Sequence, residues 1–226
     1  SISCPDEYAP PLDIENDQPS SFFEQNSVEL LGVDSANELT TGSGSIVAVI
    51  DNGFDLNHPF LETASFTTGY DYLSDDTDPS PDSGLGSSHG TFVSGLVQLI
   101  SPDCQIMPLR ALGEAGKGDG FAFAKSIYYA IDNNADIINM SFGVYKDSYL
   151  LRTACEAANA ADIILVAAGG NDSTDIPIFP ASYDGVISVS AVDSTDFLAD
   201  FSNYGLGMDL CAPGVNIYSS LTGEYN

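Results

Sequence analysis

The chain has 226 residues, 43% of them hydrophobic with 12 Phe and 11 Tyr, which is enough to bury one substantial core and too apolar for disorder. Thirty-three acidic against five basic residues leave a net charge of −28, which repels nucleic acid and anionic membranes and so excludes both as partners. No apolar run reaches the roughly 20 residues that span a bilayer, so no membrane insertion is expected. The N-terminus SISCPDEYAPP lacks the charged and apolar regions of a signal peptide and reads as that of a mature or trimmed product.

Residues 1–26 are rich in Pro, Ser, Asp and Glu without apolar period and read as an extended arm outside the core, leaving 27–226 as one domain. Ser45–Ile50 is a β-branched run ending in Asp51-Asn-Gly, which predicts a buried strand with Asp51 at its C-terminal end. After an Asp/Ser/Pro/Gly-rich loop over 71–88, His89–Ile100 is apolar on nearly every side, as in a helix buried within a domain, and His89 opens it. Gln105–Leu112 reads as a strand. Gly120–Asn133 reads as a helix, with Phe121, Ala124, Ile127, Tyr128 and Ile131 at helical spacing. Strands over Asp136–Met140, Ile163–Ala168 and Val186–Val192 follow, with a helix over Asp147–Ala160 between the first two. This alternation predicts an α/β fold, a three-layer αβα domain with a mainly parallel sheet, and places any site beyond the carboxyl ends of the strands.

Several tempting signals carry little chemistry. Gly116-Lys117-Gly118 lacks the Ser or Thr after Lys that a phosphate loop needs, and Gly42-Ser-Gly44 precedes its strand where a dinucleotide fingerprint follows one. The four cysteines, Cys4, Cys104, Cys155 and Cys211, allow three pairings and match no zinc spacing; Cys155 and Cys211 read as buried thiols. His58 sits in Asn-His-Pro and reads as structural. Asp71, Asp75, Asp76, Asp78 and Asp82 read as a solvated loop, with calcium as the alternative; no metal ligand is assigned and no cofactor is expected.

What remains is Asp51, His89 and Asn171, polar residues at strand ends and a helix start in apolar or glycine-rich surroundings. Val-Ala-Val-Ile-Asp51-Asn-Gly, Ser-His89-Gly-Thr-Phe-Val-Ser-Gly, Ile-Asn-Met-Ser141-Phe-Gly, Val-Ala-Ala-Gly-Gly-Asn171 and Ala212-Pro-Gly-Val, in that order, resemble the subtilase family from about residue 28 onward. The resemblance implies a subtilisin-like serine peptidase in which His89 is the general base, Asp51 orients it and Asn171 donates to the oxyanion, roles that imidazole, carboxylate and amide fit chemically. It also implies that a peptide or protein substrate lies as an added strand between Gly116-Lys117-Gly118 and Ser141-Phe142-Gly143, with Asp172 near the pocket for the residue preceding the cut, favouring a basic side chain there. Two sequons, Asn139-Met-Ser141 and Asn171-Asp-Ser173, fall on positions thereby committed elsewhere. Phe60 stands where the family's usual calcium-binding aspartate lies, and Phe92 replaces the second histidine common in His-Gly-Thr-His.

In the family, the stretch matching Tyr225-Asn226 is followed by Gly-Thr-Ser, whose serine opens a helix through the domain centre. That tripeptide is absent from this sequence, and Ser219 and Ser220 are assigned to the preceding strand. The expectation is a 27–226 domain incomplete at its C-terminus, inactive alone, completed by a second polypeptide carrying the Gly-Thr-Ser segment. Loss of such a nucleophile costs about 10⁶ in rate. The rivals are a pseudopeptidase that binds peptides or partner proteins without cutting and a peptide-maturing transferase. Secretion or a periplasmic location suits the acidic surface.

Overall fold

A computed structural model describes residues 2–3, 22, 24–81, 89–113 and 115–219. Strand β1 is Ile2–Ser3, followed by short helices α1 (Asn26–Leu31) and α2 (Val33–Asn37). Then come β2 (Ile46–Asp51), β3 (Ser65–Phe66), β4 (Tyr70–Asp71), α3 (His89–Ile100), β5 (Gln105–Arg110), β6 (Lys117–Gly118) and α4 (Gly120–Asp132). The chain continues through β7 (Ile137–Met140), α5 (Tyr149–Ala160), β8 (Ile164–Ala168), β9 (Val186–Val192) and β10 (Leu210–Pro213). An eight-stranded sheet runs β10-β9-β8-β7-β2-β5-β3, with β4 also on β5, and every pairing in it is parallel. The α/β three-layer architecture and mainly parallel sheet are therefore those expected from the alternation of elements.

Side chains alternate across each strand, so the register decides which face each residue serves. Ala48, Ile50, Met107, Leu109, Ile138, Met140, Leu165 and Ala167 join one large core with Phe123 and Ile127 of α4 and Leu151, Ala154 and Cys155 of α5. Val47, Val49 and Ile106 face the other way and meet Val93 and Val97 of α3. Asp119 caps α4 by accepting from the Phe121 and Ala122 amides at 2.8 and 2.7 Å, and Ser148 caps α5.

Four local expectations change. In α4 the inward face is Phe123, Ala124 and Ile127, while Phe121 and Tyr128 are 59% and 40% exposed; a helix apolar on most sides leaves its rotational phase to packing. Cys211 is exposed, because β10 is the outer strand of the sheet. Cys155 is buried as expected, and burial pushes its thiol up to about 12. Ser219 lies beyond β10, which ends at Pro213, and its hydroxyl donates to the Phe92 carbonyl. Finally, the end of the arm docks on the domain: Phe22 is buried and stacks on Phe60, and Gln25 donates to the Tyr218 carbonyl. Cys4, Asp82 and Ser220 lie outside the described residues.

Beside the end of β2, Arg110 is buried with Asp71, its Nη1 donating to Oδ2 at 2.9 Å while the Leu73 and Ser74 amides donate to Oδ1. Removing one member of such a pair strands a charge out of water. Asp71→Ala should lower stability by about 3 to 5 kcal/mol, read from the denaturant midpoint of unfolding.

Candidate active site

The carboxyl ends of the parallel strands converge on one edge of the sheet. Asp51 is the last residue of β2, and β2 is flanked by β5 and β7 in a register that pairs Asp51 with Arg110 and Ile50 with Met140. Asp51 is 1% exposed, and both of its carboxylate oxygens lie 2.9 Å from Nδ1 of His89, whose side chain is 47% exposed at the start of α3. The Asn52 amide donates to Asp51 Oδ1 at 2.8 Å. A carboxylate so placed fixes the proton on Nδ1, leaves Nε2 as the acceptor, and stabilises the imidazolium. Its charge holds the His89 pKa above the ordinary imidazole value against the opposing effect of burial.

The two residues meet because the backbones around them are joined. Asn52 Oδ1 accepts from the Gly90 amide at 3.2 Å, and Thr91 Oγ1 accepts from the Asp55 amide at 2.9 Å. Gly90 is required there: a Cβ would lie 2.3 Å from the Gly53 carbonyl oxygen and 3.1 Å from Asp51 Cβ. Arg110 Nε donates to the Asn52 carbonyl at 3.1 Å, so the buried Arg110–Asp71 pair braces the residue after Asp51. Neither Asn52 nor Arg110 stood out in the sequence as functional. The available signal was a basic side chain ending an apolar strand in a chain with only five Lys and Arg.

Ser141 follows β7, and Asn171 follows β8 through Gly169-Gly170, so both lie on the same edge as Asp51 in the strand order β2-β7-β8. Asn171 is exposed at the tip of its loop. Asn139 donates to Ser141 Oγ at 2.8 Å, which engages the first sequon internally. His58, the other histidine, is buried and accepts from the Phe60 amide through Nδ1, a local structural role.

The two expected substrate edges are differently disposed. Lys117–Gly118 forms β6 and pairs antiparallel with the N-terminal Ile2–Ser3, so an extended segment of this chain already adds a strand there. Gly116 is buried and Lys117 exposed. Phe142 is buried and stacks on Phe123, with ring centroids 3.9 Å apart, and Gly143 is buried against Ile178. Asp172 is exposed and accepts from the Tyr145 hydroxyl.

The acidic loop uses its carboxylates internally. Asp71 binds Arg110, Asp76 accepts from the Asp78 amide, Asp78 from Ser80, and the Tyr70 hydroxyl donates to Asp75. Among the described residues, no three His, Cys, Asp or Glu are grouped to hold a metal ion.

The chain as a whole is similar to known proteins. The Subtilase family model of peptidase S8 matches residues 42–226. A thermophilic serine proteinase of Bacillus sp. (strain AK1) is 39% identical over 84% of this chain and 49% of its own length. A minor extracellular protease, Epr, of Bacillus subtilis is 35% identical over 91% of this chain and 32% of its own. The chain thus spans about half or less of those relatives. A crystal structure of a cold adapted subtilisin-like serine proteinase superposes with a TM-score of 0.73 at 28% identity, covering 80% of this chain and 67% of that one. With the family model matching from before β2 to the end of the chain, and Asp51 and His89 paired at the sheet edge, the chain belongs to the subtilase family.

Proposed function

We propose that this chain supplies the base and its carboxylate to a serine endopeptidase whose nucleophilic serine lies beyond Asn226. The observation that carries the reading is the buried Asp51 carboxylate with both oxygens 2.9 Å from Nδ1 of a half-exposed His89. In the reaction, the serine oxygen attacks the scissile carbonyl carbon as its proton passes to His89 Nε2. The carbonyl oxygen becomes an oxyanion that the Asn171 side chain stabilises. Collapse breaks the C–N bond, His89 returns the proton to the leaving amine, and water then cleaves the acyl-enzyme by the same route. No metal or cofactor enters these steps.

One open face of the sheet suits a serine-bearing segment beyond Asn226. Past the cover of α3, the face bearing Ile164 and Leu210 leaves these residues 51% and 57% exposed, with Val166, Ile187 and Val189 between them only half-buried. The peptide substrate adds as a strand between Gly116–Gly118 and Ser141–Gly143, taking the place of Ile2–Ser3 on Lys117–Gly118, and Asp172 favours a basic side chain before the cut. An extracellular or periplasmic setting fits the net charge of −28 and the extracellular relative.

Three experiments test this reading. A fluorophosphonate probe should label a serine in the complete protein, including the residues beyond Asn226; peptide binding without labelling supports the pseudopeptidase instead. Asp51→Asn should lower kcat by about 10⁴. It should also move the acid limb of the pH–rate profile to lower pH, because His89 works as a base only when neutral and Asp51 is what raises its pKa. Asp172→Ala should equalise kcat/KM for peptides with Lys and Leu before the cut; an unaltered enzyme that already treats Lys, Leu and Glu peptides equally removes the basic-pocket assignment.

A further inference from the structure

Asn171 sits on an exposed loop, yet an oxyanion donor must be held within a few tenths of an ångström of its place. What holds this loop is a residue 32 positions further along. We propose that Asn203 is a positioning residue for Asn171, a role that rests on the oxyanion assignment above.

Asn203 is 1% exposed and its amide is bonded to backbone groups on both sides of Asn171. Its Nδ2 donates to the Gly169 carbonyl at 2.9 Å, and its Oδ1 accepts from the Asp172 amide at 2.9 Å and the Thr174 amide at 3.3 Å. Its own backbone amide donates to the Gly170 carbonyl at 2.9 Å. The loop is therefore bracketed at 169, 170, 172 and 174, with Asn171 exposed between the bracketed positions 170 and 172. The contact is close: Gly170 has φ +103°, and a Cβ there would lie 2.3 Å from Asn203 Nδ2, so glycine lets the amide lie against the loop.

Asn203 is itself anchored from behind. Its carbonyl accepts from the hydroxyls of Ser190, on β9, and Ser202, each at 3.0 Å, and Ser202 Oγ also accepts from the Ala191 amide. The neighbouring amides repeat the tie, Ser173 N donating to the Phe201 carbonyl and Tyr204 N to that of Thr174. The oxyanion loop is thus referenced to the sheet through β9 as well as through β8, on which it begins. No apolar side chain at 203 reproduces both a donor and a bifurcated acceptor, and their loss leaves three backbone groups to find new partners.

The test is a double-mutant cycle on the complete enzyme, with each variant's folded fraction fixed by its melting temperature and by fluorophosphonate titration. Asn171→Ala should cost about 10²- to 10³-fold in kcat with little change in KM. Asn203→Ala should cost about 10- to 100-fold in kcat, again with KM nearly constant, because the loop's error is felt where charge develops. In the Asn171→Ala background, Asn203→Ala should cost less than about threefold, since there is no longer a donor to position. Asn203→Asp keeps the acceptor for the Asp172 and Thr174 amides and should fall between; it serves in place of Asn203→Ala if that variant does not fold. A full Asn203 effect in the Asn171→Ala background, or an effect confined to KM or to melting temperature, overturns the positioning role while leaving the peptidase reading intact. A complete protein that neither labels nor cleaves overturns both.

Discussion

The site depends on the closeness of two backbones at the end of β2. A hydrogen bond between Asp51 and His89 requires that the first turn of α3 touch the strand end with nothing between them, and Gly90 supplies that absence: any Cβ there would collide with the Gly53 carbonyl. The junction is then held by polar bonds that face the same gap, Asn52 Oδ1 to the Gly90 amide and Thr91 Oγ1 to the Asp55 amide. Asn52 has a share in each side of the dyad, since its amide donates to Asp51 and its Oδ1 accepts from Gly90 next to His89, while its carbonyl accepts from Arg110. The pair is therefore a property of the fold's joint between strand and helix.

Burial sets the energetic terms of that joint. A carboxylate 1% exposed must be satisfied by charged or polar partners, and hydrogen bonds to charged groups contribute about 1.5 to 3 kcal/mol each. Asp51 has the His89 ring and the Asn52 amide; Asp71, equally buried, has Arg110 and two amides. Two buried carboxylates at neighbouring strand ends thus divide the available partners, the guanidinium going to Asp71 and the imidazole to Asp51. That division leaves Asp51 to raise the pKa of the imidazole rather than spend its charge on arginine.

The strands and the two principal residues were legible because the physics that places them is local. An apolar β-branched run ending in Asp-Asn-Gly is a buried strand with an acid at its tip, and β2 ends at Asp51 as read. His89 lies in α3, which ends at Ile100 as read. What was not legible depends on partners distant in sequence. Asn203 looks like one more polar loop residue until folding brings it against 169–174, and Asp71 looks like a solvated acid until β4 pairs beside Arg110. Pattern also fails where it is degenerate: Phe121 and Phe123 are equally apolar, so composition alone cannot say which points inward, and Ile2–Ser3 is too short to announce a strand whose partner is 115 residues away.

The sheet's two faces are unequally covered, and the chemistry lies on the weaker side. Ala48 and Ile50 belong to the core closed by α4 and α5, whereas Asp51 shares its face with Val47 and Val49, under α3. Moving along that face from β2 through β7 to β10, the side chains are apolar apart from Asn139 on β7, and burial falls from Val49 at 0% to Leu210 at 57% exposed. A group that meets His89 Nε2 has to lie on this side, because Nδ1 is taken by Asp51 and the opposite face is filled by Phe123, Ile127 and Leu151. Apolar side chains laid over Ile164, Val166 and Leu210 gain their burial, about 25 cal/mol for each Å² removed from water. In the proposed enzyme, apolar cover on this face and access to the imidazole lie on the same side of the sheet, so a nucleophile without apolar support would be neither held nor aligned.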